Sequence, residues 1–125
     1  MKPLLLISAL IEITTGVGLL VVPALLAPIL IGAELDTPAG LAVARVAGAA
    51  LLSLGIACWF GSRDTQSRAA FGIVVAMLVY NLAAATLLLA LRFYLGLTGV
   101  GLLPAAAMHA ALAAWCISVV KSNRQ

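Results

Sequence analysis

The chain has 125 residues, 65% of them hydrophobic and 9% charged, with a mean hydropathy of +1.23 and a formal net charge of +3. That leaves too little polar side chain to coat a water-soluble globule, so lipid is the expected main solvent. Most of the basic residues stand at the ends of apolar stretches, a pattern that orients a membrane protein and does not suggest the exposed basic patch of a nucleic-acid binder.

A spanning helix takes roughly 20 apolar residues, so the length suits four spans with short connections. The expectation is an all-α polytopic membrane protein, a four-transmembrane-helix bundle in which residues 1–125 form a single domain. The first span runs from about Pro3 to Val22. It passes through Glu12 and has no small-residue cleavage site, so it reads as a retained helix and not as a secretory signal. Pro23 and Pro28 remove backbone donors and end it. The segment Ala24 to Gly32 is apolar but too short to cross, and is expected to lie at the interface or to re-enter the membrane. Glu34, Asp36, Thr37 and Pro38 form a polar turn. The second span covers about Ala39 to Phe60 and ends at the polar stretch Gly61 to Arg68. A third span from about Ala69 to Phe93, a Gly-rich link from Tyr94 to Gly101, and a fourth span from about Leu102 to Val120 complete the bundle. Lys121 to Gln125 form a polar stop.

Lys2, Arg63, Arg68, Lys121 and Arg124 fall on one side of these spans, and Glu34 and Asp36 on the other with Arg92 nearby. The positive-inside rule then makes both termini cytoplasmic, and it puts Trp59 and Trp115 near the cytoplasmic interface that indole rings favour. Gly40, Ala44 and Gly48 recur every four residues, with Gly55 one heptad after Gly48, a stripe along which two helix backbones can approach. Packing inside the bundle is the expected use, with a homo-oligomer seam as the alternative.

Four polar residues interrupt the apolar runs, one per span: Glu12, Arg45, Asn81 and His109. At ~1.5 Å per residue, Glu12 and Asn81 lie about 14 and 18 Å from the inner ends of their helices, and Arg45 and His109 about 10 and 12 Å from the outer ends. All fall in a middle-to-outer slab of the membrane. A charge at that depth costs at least ~2.5 kcal/mol, so Glu12 and Arg45 are expected to face inward and neutralise each other. Ser8, Glu12 and Thr15 share a face of the first helix, and Tyr80 adjoins Asn81. Two readings stay open. In one, Glu12 and Arg45 form a structural ion pair with Asn81 and His109 as interhelical hydrogen-bonding groups. In the other, the four residues and Tyr80 form a polar pocket, opening outward beneath Pro23 to Gly32, for a small or amphiphilic ligand or a proton.

Other chemistry lacks its residues. Cys58 and Cys116 each adjoin a tryptophan and form no Cys-x-x-Cys motif, so they read as structural thiols. A single histidine cannot supply bis-histidine haem ligation, Met77 and Met108 make a weak copper case, and no metal site is predicted. There is no phosphate loop, nucleophile elbow or zinc-ligand cluster, and no catalytic residue is assigned.

Glu12, Thr15-Gly16, Pro23 and the run Ala44-Arg45-Val46-Ala47-Gly48 through Gly55 resemble the DoxX-like group of small four-helix bacterial membrane proteins, over about half the chain. The resemblance implies the bacterial inner membrane and, for some members, thiol or quinone redox systems, although the paired cysteines of a thiol system are missing here. The expected function is a non-enzymatic binding or accessory subunit, with the bilayer and a membrane-protein partner or second copy as its neighbours. No cofactor is predicted, and a quinone is the one the resemblance would allow. The alternatives are a membrane oxidoreductase or isomerase using His109 or Glu12 for proton transfer, and a proton-coupled small transporter acting as an oligomer.

Overall fold

A computed structural model describes residues 1–123 of the chain. Arg124 and Gln125, which belong to the predicted polar tail, lie outside the described residues. The described residues form five helices: α1 (Lys2–Val21), α2 (Pro23–Ile31), α3 (Pro38–Gly61), α4 (Arg68–Phe93) and α5 (Leu102–Ser122). Four of them, α1, α3, α4 and α5, are long and apolar enough to cross a membrane. They suggest a multi-pass membrane bundle, and α2 is the short segment expected after the first span.

Local chemistry sets the ends of these helices. Pro23 cannot donate to the carbonyl four residues earlier, so α1 stops, and the same proline starts α2 at a position where no donor is needed. Gly32 closes α2 in the left-handed conformation, at φ 74°. Thr37 caps α3 by accepting from the Gly40 amide at 3.0 Å, with Pro38 as first helical residue, and Ser67 caps α4 by accepting from the Ala70 amide at 3.1 Å. The two caps fall in the two polar turns seen in the sequence.

The long helices pack as two antiparallel pairs, α1 on α3 and α4 on α5, while α3 and α4 meet far less extensively. Glycine determines the first pairing. A Cβ placed on Gly16 would sit 2.7 Å from the Gly48 carbonyl oxygen and 2.6 Å from the Leu52 amide nitrogen. One placed on Gly55 would sit 2.9 Å from the Ile13 nitrogen. The small-residue stripe of α3 is thus spent inside the molecule, on α1, through Gly48 and Gly55; Gly40 belongs instead to the cap of α3.

One end of the bundle gathers Met1, Lys2, Thr65, Gln66, Ser122 and Asn123 around a shallow hollow, with Arg63 stacked over the Trp59 ring at 5.1 Å. This end carries most of the positive charge. At the opposite end α2 is tied to the α4–α5 link by a hydrogen bond from the Gly101 amide to the Ile29 carbonyl at 2.9 Å, and Arg92 Nη1 donates to the Leu97 carbonyl at 3.3 Å. Between the ends, Leu4, Leu5 and Ala9 of α1 pack with Cys58, Val74, Met77, Leu112 and Cys116 as the dry core toward the basic end. Both cysteines are fully buried free thiols.

Candidate functional site

Above that core the helices separate around a cavity of about 290 Å³. Most of its wall is hydrocarbon, including Leu19 of α1, Leu51 of α3, Leu87 and Leu88 of α4, and Leu30 and Ile31 of α2. Its polar groups are Glu12 and Thr15 from α1, Tyr80 from α4 and His109 from α5. Apolar enclosure with a few convergent polar groups is the usual constitution of a small-molecule site.

Glu12 is 1% exposed, and its Oε1 accepts no hydrogen bond among the described residues. Tyr80 lines the same cavity as this carboxyl. One turn nearer the basic end, Ser8 is fully buried with its hydroxyl likewise unpartnered. Leaving such atoms unpaired in an apolar interior costs about 1–3 kcal/mol each.

Across the cavity His109 is fixed by two neighbours. Asn81, fully buried, donates from Nδ2 to the Met77 carbonyl of its own helix at 2.8 Å, which leaves Oδ1 toward His109. Oδ1 only accepts, so at 2.8 Å it requires the proton on His109 Nδ1, and the lone pair of the neutral ring falls on Nε2. Nε2 makes no hydrogen bond among the described residues. The Tyr80 ring meets the imidazole edge-on, with centroids 5.4 Å apart and planes at 88°. The ring is held on two sides, and its unprotonated nitrogen is left free.

Arg45 departs from expectation. It forms no ion pair with Glu12; it is exposed, and its Nε donates to the Leu20 carbonyl at 3.4 Å. The break at Pro23 leaves the last carbonyls of α1 without helical donors, and a guanidinium there satisfies one of them and complements the negative end of the helix dipole. Equal depth of Glu12 and Arg45 in the membrane does not fix which side of α3 the arginine occupies. Of the five candidate residues, Glu12, Tyr80 and His109 line the cavity, Asn81 stands behind His109, and Arg45 serves the end of α1.

Thr15, Met108 and the α2 pair Leu30 and Ile31 also line the cavity without having been singled out as site residues. The spacing of Ser8, Glu12 and Thr15 was the signal for Thr15. The α2 residues had none, because apolar side chains in an apolar segment look alike. Among the described residues, no three His, Cys, Asp or Glu side chains gather as metal ligands would. Compared with protein-family models, curated proteins and solved structures, the chain matches none.

Proposed function

We propose that this protein is a bacterial inner-membrane binding or accessory subunit whose intramembrane cavity holds a small amphiphilic ligand, with Glu12 and His109 as its polar contacts. The observation that carries this reading is the Glu12 carboxyl, buried at the cavity with an oxygen that nothing in the described chain satisfies. A carboxyl kept there without a cation is a cost to folding, and cost without a structural return is the usual mark of a functional group. The DoxX-like resemblance favours the bacterial inner membrane, and the positive-inside rule favours a cytoplasmic basic end.

Thermal unfolding in detergent, with and without extracted bacterial lipids and quinones, tests the reading. A stabilising component should act on the native chain and fail on Glu12→Leu, because a ligand that binds only the folded state raises its midpoint. Indifference of the native chain to every fraction counts against it.

The geometry at His109 supports a second reading, proton transfer in a membrane oxidoreductase or isomerase. A neutral imidazole with fixed tautomer, free Nε2, and a tyrosine and a carboxyl beside it has the parts of a general base. That reading requires turnover that disappears in His109→Ala while the fold survives.

A further inference from the structure

The cavity shares a wall with a second hollow. Leu19, Leu30 and Ile31 line it and also line a more open groove of about 510 Å³ between α2 and α3. On α3 the groove is floored by Ala39, Val43, Ala44 and Ala47, whose spacing of three and four puts them on one side of the helix. Among the described residues, no charged or hydrogen-bonding side chain lines it. The α3 floor runs about 12 Å at ~1.5 Å per residue, long enough for a hydrocarbon chain. A polar group placed there would find no side-chain partner.

The two hollows ask for different chemistry. The unpartnered Glu12 Oε1 and the free His109 Nε2 both offer lone pairs, so the cavity suits a head that donates hydrogen bonds. No lysine or arginine among the described residues lines the cavity, and Arg45 is engaged with Leu20. An anionic phospholipid head would therefore be buried without a countercharge, which is strongly unfavourable. The groove takes hydrocarbon alone. Only three aliphatic side chains stand between them, two of them on α2, a helix of nine residues interrupted at Val22 and Gly32.

We propose that cavity and groove are two parts of one site for a single-chain, non-anionic amphiphile, its donor head on Glu12 and His109 and its chain passing by Leu19, Leu30 and Ile31 into the α2–α3 groove. This rests on the ligand-binding reading above and adds the class of ligand and the side on which it enters, laterally from the bilayer.

The test uses the full chain in lipid nanodiscs and a para-alkylphenol carrying a diazirine at the end of its chain, photolysed and mapped by peptide mass spectrometry. Saturable labelling at Val43, Ala44, Ala47 and α2, competed by unlabelled para-dodecylphenol, is expected. Glu12→Leu should weaken it about tenfold, the loss of one hydrogen bond to a charged or strongly polar group. Competition and mapping on the native chain need no variant to fold. Saturable labelling confined to the α4 and α5 walls of the cavity would overturn the groove and leave the ligand-binding reading standing. Labelling that does not saturate, or that spreads over exterior residues such as Val79 and Phe93, would overturn both.

Discussion

The seam between α1 and α3 and the cavity between α1, α4 and α5 meet on the same helix and are built on contrary principles. At the seam Gly16, Gly48 and Gly55 bring two backbones into contact and leave no space for a side chain. At the cavity, one turn from Gly16, the helices stand apart and polar groups face a hollow. Between apolar helices in lipid there is little hydrophobic drive to associate, so close packing of small residues carries adhesion. Polar groups that the seam does not need can then be placed where a ligand would use them. On the proposed reading, adhesion and recognition fall to different parts of the molecule, and substitutions should separate them.

The largest effect belongs to the seam. Gly48→Leu must push α1 off α3 and is expected to cost about 3 kcal/mol or more. Gly72→Leu, where an added Cβ meets nothing within 4 Å, should be close to neutral in the same detergent-unfolding assay. Equal effects would remove the seam from the account. Next comes Asn81→Ala, which strips His109 Nδ1 of its acceptor and should cost about 1–3 kcal/mol. Loss of binding beyond that loss of stability would show that the ring's orientation matters to the site.

Smaller still is Arg45→Met, expected to remove about 0.3–1 kcal/mol of favourable interaction with the end of α1 and to leave ligand binding unchanged. Glu12→Leu sharpens the comparison most, because stability should stay level or rise while binding weakens about tenfold. A marked destabilisation would mean that the carboxyl has a structural partner. In the double-mutant cycle of Glu12→Gln with Arg45→Met, the two changes should add within about 0.5 kcal/mol, since the side chains share no contact. Strong coupling would restore the ion pair.

Much of this molecule was legible in its sequence. Pro23, the Thr37-Pro38 pair, Ser67 and the Gly-rich link mark helix ends by removing or supplying hydrogen bonds, and the structure places its helix ends beside them. That α2 is itself helical was not legible, because nine residues containing two prolines give no periodic pattern to recognise. In the site, Glu12, Tyr80, Asn81 and His109 were found because polarity within an apolar run is conspicuous. Arg45 was paired with the wrong group for a definite reason. Rise per residue gives height in the membrane, but two groups at one height meet only if they also point the same way, and the unpaired carbonyls at the end of α1 compete for the guanidinium.

The contact of Gly16 with Gly48 has a consequence for how variants of this protein should be interpreted. Glu12 lies one turn from Gly16, so the height and direction of the carboxyl are set by where α1 locks on α3. A slide by a single residue would carry Glu12 ~1.5 Å along the axis and turn it by ~100°. Gly48 and Gly55 line neither hollow, yet a screen for lost ligand binding would recover them alongside Glu12. The two kinds of allele would separate by stability: a misregistered bundle would lose it together with binding, whereas a chain lacking only the carboxyl would keep its stability and lose affinity.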